Sequence, residues 1–212
     1  MGTESSSFKS RFPSSLSLEF NLLPGQISYF FPLLQKGFAV EARVGISIQA
    51  FLCGHFGLST EYLRGRVKTV FLDGKSVDDL DQAFVQDGSR LALSAALPGL
   101  AGAVLRRGST YAKLRSQVAE KKKDLPGKPE EGLVILKLFN LLLPEIGGVF
   151  LQKGVLIPRE DFLEFWGQHA EETRRGWGKA RVNGEESEID SLANLLQADL
   201  SPWIRLEVLE KN

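Results

Sequence analysis

FNLLP at 20–24 and FNLLLP at 139–144 are nearly identical, and each is followed by a second matching stretch, LLQKG at 33–37 and FLQKG at 150–154. Each first stretch is an apolar run that ends at a proline. The second matching stretch follows it in both halves of the chain. Two stretches repeated in the same order indicate that the chain of 212 residues contains two related copies of one unit.

Further landmarks repeat in the same order along both halves of the chain. The matched pairs are Phe20 with Phe139, Lys36 with Lys153, His55 with His169, Gly74 with Gly184, and Arg90 with Arg205. The separation drifts from pair to pair, as expected for diverged copies with small loop insertions. Chance similarity between two modules of helices and strands is the alternative. Duplication predicts copy one at 16–102 and copy two at 132–212. Composition predicts a disordered, serine-rich N-terminus at 1–15 and a basic helix and linker at 103–131.

Both copies have the same predicted order of elements. A strand around FNLL stops at its proline, and a second strand follows the LQKG turn. In copy one a helix starts after Ser47, a favourable N-cap, and stops at Gly57. In copy two the N-cap is Asp161 and the helix ends at Gly176. Apolar residues recur on one face of each helix, so each helix is predicted to pack on a sheet.

The two hairpins that follow have strong local signals. Asp73-Gly74 and Asn183-Gly184 are the dipeptides typical of two-residue hairpin turns. RLAL and IRLEV then form the last strand of each copy. The order strand, strand, helix, strand, strand, found twice, predicts an α+β fold of two tandem domains. Each domain is expected to be a mixed four-stranded sheet with one main helix.

Three segments of copy one carry a resemblance to a known family. They are the helix start at 47–52, the pattern V-x-x-D-G-x-x-V at 70–77, and x-D-G-x-x-L-x-L at 86–93. Together they resemble the ubiquitin-like β-grasp superfamily, in its small sulfur-carrier (ThiS/MoaD-like) branch. The resemblance covers residues 16–102 and, more faintly, 133–210. It implies two tandem β-grasp domains.

The same resemblance implies a sulfur-transfer role, with one departure. Sulfur carriers of this branch end in a free Gly-Gly whose carboxylate is adenylated and then thiolated. Here ALPGLAGAVLRRG stands at the corresponding place, at 96–108, and copy two ends in VLEKN without glycine. A carrier function would therefore require cleavage after Gly102.

The segment between the copies is basic. Residues 100–131 hold eight basic and four acidic residues, whereas residues 132–212 hold nine basic and thirteen acidic ones. Tyr111, Leu114 and Val118 lie on one face of a predicted helix. Either this helix is a solvated element docked on a neighbouring copy, or the segment forms an anion-binding site. The side chains that we assign to such a site are Arg106, Arg107 and Arg115.

An aromatic cluster distinguishes the copies. Tyr29, Phe30 and Phe31 are consecutive in copy one, and copy two has no such cluster at the equivalent place. Three consecutive aromatic side chains cannot all face one core, so at least one is expected at a contact surface. The alternatives are packing against copy two, a dimer interface, or a surface that binds a protein partner.

No residue pattern in the sequence gives a comparable indication of catalysis. His55 and His169 occupy equivalent helical positions and are interpreted as residues at the margin of each apolar stripe. Cys53 lies two residues from His55, which points the two side chains apart on a helix and disfavours a nucleophile pair. We predict no catalytic residues, no metal site and no cofactor.

These patterns favour a non-enzymatic binding or adaptor protein. A sulfur-carrier-related role is the alternative, and an enzyme with a site between the copies comes third. The expected partners are a protein or a second copy of this chain, with an anionic ligand at the basic segment. The balance of 26 basic and 26 acidic residues argues against nucleic-acid and membrane partners. A lone cysteine fits a reducing compartment, and we expect a cytoplasmic protein.

Overall fold

A computed structural model describes residues 14–96, 99–109, 128–176 and 179–210. The strands are β1 (Ser15–Leu22), β2 (Phe38–Val44), β3 (Ile46–Ser47), β4 (Thr69–Leu72), β5 (Lys75–Ser76), β6 (Phe84–Val85), β7 (Arg90–Ser94), β8 (Glu130–Phe139), β9 (Val155–Pro158), β10 (Lys179–Val182), β11 (Glu185–Glu188) and β12 (Trp203–Glu210). The helices are α1 (Phe31–Lys36), α2 (Ile48–Phe56), α3 (Thr60–Gly65), α4 (Gly99–Leu105), α5 (Leu142–Lys153), α6 (Arg159–Gly176) and α7 (Ile189–Ala198), and a short 3-10 helix spans Gln26–Phe30. Of the predicted disordered segment 1–15, residues 1–13 lie outside the described residues, and Ser15 begins β1. The predicted helix around Tyr111 also lies outside them.

The local predictions for helix α2 and for the hairpins are confirmed. The Ser47 side chain accepts a hydrogen bond from the Ala50 amide at 3.2 Å, and Gly57 ends the helix with a φ of 69°. Asp73-Gly74 and Asn183-Gly184 have positive φ at both positions, the conformation that two-residue hairpins require. Helix α6 starts at Arg159, so the predicted N-cap Asp161 lies in its first turn.

The LQKG stretches are helix ends, so the prediction of a strand-to-strand turn there was wrong. Residues 33–36 close α1, and residues 150–153 close α5. Each helix carries its proline in the first turn, Pro32 in α1 and Pro144 in α5. Proline is tolerated there because the first amides of a helix have no intrahelical partner. The repeated stretches therefore build a strand followed by a helical crossing.

Ten of the described strands form one mixed sheet, in the order β11-β10-β1-β12-β9-β2-β8-β7-β4-β5. Its centre is the antiparallel contact between β2 and β9, where Ala39 faces Leu156. The remaining described strands, β3 and β6, pair separately. The fold is α+β, as predicted, but the sheet is continuous across both copies, which differs from a separate four-stranded sheet in each.

The first strand of each copy lies in the other half of the sheet. β1 of copy one pairs in parallel with β12 and antiparallel with β10, both from copy two. β8 of copy two pairs in parallel with β7 and antiparallel with β2, both from copy one. A two-residue hairpin would have forced neighbouring strands to pair with each other. Because helical crossings follow β1 and β8 instead, each first strand can reach the other half.

One hydrophobic cluster of described residues joins both copies. Side chains of β1, β8 and β12 alternate between buried and less buried positions, so one sheet face carries the core. Phe20 on β1 contacts both Phe30 and Trp166, with ring centroids 5.3 and 6.1 Å apart. Among the described helices, none has the length and apolar character needed to cross a membrane.

Candidate anion-binding cleft

The aromatic cluster of copy one is largely taken up by contacts with copy two. Phe30 is fully buried, and its ring centroid lies 5.4 Å from that of Phe165 on α6. Phe31 is half-buried and packs against the core. Tyr29 is 46% exposed. The structure therefore places Phe30 where no external partner can touch it, and of the three predicted binding aromatics Tyr29 is the most accessible.

Two glycines of copy two complete this contact, and the sequence interpretation did not assign them a role. A Cβ atom added at Gly147 would lie 2.9 Å from Cε1 of Phe31, and one added at Gly148 would lie 3.5 Å from Ile27. Counted back from LQKG, Gly147 and Gly148 occupy the positions of Phe30 and Phe31 in copy one. The aromatic residues of one crossing helix thus lie over the glycines of the other. In the sequence, the only sign of this contact is that copy one has aromatic residues where copy two has glycines.

Charged contacts also join the copies around the crossings. The Glu145 carboxylate on α5 accepts hydrogen bonds from the Arg66 guanidinium and from the Tyr62 hydroxyl, the latter at 2.8 Å. Arg66 lowers the pKa of Glu145, and burial together with Glu145 raises the pKa of Tyr62. Arg66 follows directly after helix α3, so this cluster ties α3 to α5 beside the region described next.

Arg107 anchors the segment that follows α4. Its guanidinium donates to the backbone carbonyls of Val67, Asp78 and Leu63 at 2.9, 3.2 and 3.4 Å, and its amide donates to the Lys68 carbonyl at 2.8 Å. Burial lowers the pKa of Arg107, but an arginine side chain stays charged in a protein. Its role is therefore to hold the wall of a cleft rather than to reach far into it.

That cleft, the basic cleft, has a volume of about 600 Å³. Among the described residues, its lining has four basic side chains, Arg64, Lys68, Arg106 and Arg107, against one acidic side chain, Asp78. Arg64 and Arg106 are exposed, and Lys68 is half-buried and donates to the Arg64 carbonyl at 3.1 Å. Like charges gathered on a concave surface raise the local concentration of anions. The arrangement can therefore hold a small anion.

Two of the three arginines that the sequence assigns to an anion site line this cleft. Arg106 and Arg107 lie in it, whereas Arg115 lies outside the described residues. Arg64 and Lys68 were missed because they lie about 40 residues earlier in the chain. Nothing in the sequence near Arg64 indicates that α3 and the start of β4 meet the segment after α4.

Each of the two histidines contacts a residue of its own helix. The His55 ring packs edge-on against Phe56 at 4.6 Å, and Nδ1 of His169 lies 2.9 Å from the Phe165 carbonyl oxygen. Both positions agree with the interpretation of residues at the margin of an apolar stripe. Within the described ranges, no group of three or more histidine, cysteine or acidic residues has the arrangement of a metal site.

His55 is expected to make stability depend on pH. Burial, and then the charge of Lys153, lowers its pKa, while Glu131 acts in the opposite direction. Because the unfolded chain takes up this proton at a higher pH, the contribution of His55 is complete above its ordinary pKa of about 6.5 and is lost as pH falls through the folded value. Urea midpoints should therefore decline between about pH 7.5 and about pH 5.5. His55→Gln should make that decline shallower, and an unchanged decline would contradict this role.

Comparison with family models, with curated proteins and with solved structures found no match to this chain.

Proposed function

We propose that this protein is a non-enzymatic binding module that holds a small anion, of the phosphate type, in the basic cleft. The observation that carries the proposal is the gathering of Arg64, Lys68 and Arg106 at one concave surface beside the anchored Arg107. Arginine and lysine are the side chains that bind phosphate groups most often, arginine through its paired N–H donors and lysine as a point charge.

The fold adds to this proposal. We propose that each half of the sheet is a β-grasp unit whose first strand comes from the other copy. The order β2-β8-β7-β4-β5 supports this, since a parallel pair of first and last strands occupies its middle. In the other half, β9-β12-β1-β10-β11, the corresponding parallel pair is present with its two members interchanged. The module would then be a fused pair of units rather than two independent domains.

A sulfur-carrier role is the second candidate function. In carriers of that kind the terminus must be free to enter an activating enzyme. Here the corresponding segment, Gly99–Leu105, is helical, and Arg107 behind it is fastened by its backbone and its side chain. This arrangement favours a segment that forms the wall of a site over one that is released for chemistry.

Anion binding is tested by titrating the purified protein with inorganic pyrophosphate in a calorimeter at low ionic strength. We expect saturable binding, and we expect Arg106→Ala and Lys68→Ala each to weaken it by about tenfold, since a hydrogen bond to a charged group is worth roughly 1.5–3 kcal/mol.

The matched control is Lys75→Ala. Lys75 is an exposed cation on the edge strand β5 and lines neither this cleft nor the one described below. Its substitution should leave the affinity for pyrophosphate within about twofold, because an exposed charge outside the cleft acts through screened, long-range attraction alone. Equal losses for all three variants, or no saturable binding by the wild type, would reject the basic cleft as a site.

A further inference from the structure

A second cleft adjoins the basic cleft and shares part of its lining. Lys68, Ala103 and Arg106 line both. The second cleft, here called the inner cleft, has a volume of about 450 Å³. It extends from the shared cations toward Leu141, the residue just before α5 of copy two. The two clefts thus adjoin at Lys68 and Arg106, and Arg66, which is paired with Glu145, also lines the inner cleft.

Part of the lining of the inner cleft is apolar. Ala95, Ala96, Gly102 and Leu141 contribute to its walls, and Leu141 is 56% exposed. Asn140 holds this region in shape, since its side-chain amide donates to the Ser94 hydroxyl at 3.1 Å and to the Ala96 carbonyl. A large exposed leucine beside alanine walls offers a surface on which apolar groups of a ligand are removed from water.

Buried hydroxyl groups without partners mark polar parts of the two clefts. Thr69 lines the inner cleft and is 1% exposed, and within the described part of the chain its Oγ1 atom has no hydrogen-bond partner. The same holds for the buried Oγ atom of Ser109 in the basic cleft. A buried hydroxyl that makes no hydrogen bond costs about 1–3 kcal/mol. A ligand oxygen beside Thr69 in the inner cleft would accept a hydrogen bond that this hydroxyl otherwise does not make.

From this geometry we infer that the anion carries an apolar group, so that the ligand is a small amphiphilic anion such as an organic phosphate. The inference rests on the proposed anion-binding function and specifies its ligand. The anionic group lies at the junction with Lys68 and Arg106 and accepts a hydrogen bond from Thr69. The apolar group lies in the inner cleft against Ala96 and Leu141.

The size of the inner cleft favours a free metabolite over a membrane lipid. Volumes of 300–1,000 Å³ are typical of sites for small molecules, and about 450 Å³ lies in that range. A cleft of this volume accommodates a short chain or a ring, and the shared cations line a concave surface rather than a broad flat one. The ligand is therefore expected to bind from solution.

The test compares hexyl phosphate with inorganic phosphate by calorimetry on the full chain. Hexyl phosphate should bind at least about tenfold more tightly, because each fully buried methylene group is worth roughly fourfold in affinity. Leu141→Asn should reduce this advantage, because it should weaken the binding of hexyl phosphate more than that of inorganic phosphate. Leu200→Asn is the matched control, since Leu200 is 87% exposed and lines neither cleft. It should retain the full advantage.

Thr69→Val distinguishes a hydroxyl group that binds the ligand from one that only affects the stability of the fold. Valine has nearly the same shape and lacks the unpartnered hydroxyl, so the ligand-free protein should be as stable as the wild type or more stable. Its affinity for hexyl phosphate should nevertheless fall by about tenfold, because the hydrogen bond to the anionic oxygen is lost. Unchanged affinity in a folded Thr69→Val variant would overturn the placement of the anion at the junction.

The outcomes separate this inference from the function on which it rests. If inorganic phosphate and hexyl phosphate bind equally, and Arg106→Ala weakens both, the apolar part of the inference is wrong and the anion site stands. If neither binds, both fail. Vesicles of phosphatidylcholine with phosphatidylglycerol form the last arm. Sedimentation of the wild type with these vesicles, lost in Leu141→Asn, would assign the apolar group to a membrane lipid and overturn the free ligand.

Discussion

Phe30→Ala is expected to lower the free energy of unfolding by about 3–5 kcal/mol, the usual cost of truncating a fully buried phenylalanine. Phe30 has no exposed surface, and its ring lies between Phe20 of β1 and Phe165 of α6. The substitution would leave a cavity between an exchanged strand and the main helix of copy two. Both halves of the fold should therefore unfold together at a lower urea concentration, rather than one half unfolding alone.

The measurement is urea unfolding followed by tryptophan fluorescence and by circular dichroism. Leu23→Ala is the matched control, because Leu23 is 59% exposed, and its truncation should change stability by no more than about 0.5 kcal/mol. If Phe30→Ala left stability intact and altered the oligomeric state instead, the aromatic cluster would belong to an external interface.

Gly147→Leu is expected to destabilise the protein by about 1–3 kcal/mol through overpacking. A Cβ atom at this position would lie 2.9 Å from Phe31 Cε1 and 3.2 Å from Leu34 Cδ1. Real Cβ atoms do not approach other heavy atoms so closely, so α1 and α5 would have to move apart. Since these two helices carry the chain between the halves, the movement would disturb the centre of the fold.

Two further variants separate this steric effect from the conformational preference of glycine. Gly167→Ala on α6 is the matched control, because an added Cβ there has no heavy atom within 4 Å, and it should stabilise the protein by about 0.5–1 kcal/mol. Phe31→Ala should partly rescue Gly147→Leu, with a coupling energy of at least about 0.5 kcal/mol in a double-mutant cycle. Strict additivity would show that the contact between Phe31 and Gly147 is not the cause.

The exchange of first strands also determines which residues form the proposed site. β8 of copy two runs beside β7 of copy one, so Asn140 and Leu141, at its end, arrive next to Ala95 and Ala96. The inner cleft consequently contains residues of both copies. In a chain whose copies folded separately, Leu141 would belong to another domain. The connectivity of the sheet therefore decides which side chains the inner cleft contains.

The elements that could be predicted are those with local causes. Asn183-Gly184 turns a hairpin because both residues accept positive φ, and Ser47 starts a helix because its hydroxyl caps the Ala50 amide. These interactions join residues within a few positions of each other, so their pattern is visible in the sequence. The interpretation of LQKG as a strand-to-strand turn was wrong because glycine is favoured both in turns and directly after the end of a helix, where Gly37 and Gly154 lie.

By itself, the sequence determined the α+β class, helix α2, the hairpins and two of the arginines in the cleft. Tertiary structure alone decided that β1 and β8 change places, that Phe30 is buried, and that Arg64 and Lys68 join Arg106. The physical reason is that FNLL in each copy offers the same backbone hydrogen bonds and the same alternation of side chains, so either half of the sheet accepts either strand. The choice between them depends on contacts far apart in the chain, among them Phe31 over Gly147 and Arg66 with Glu145.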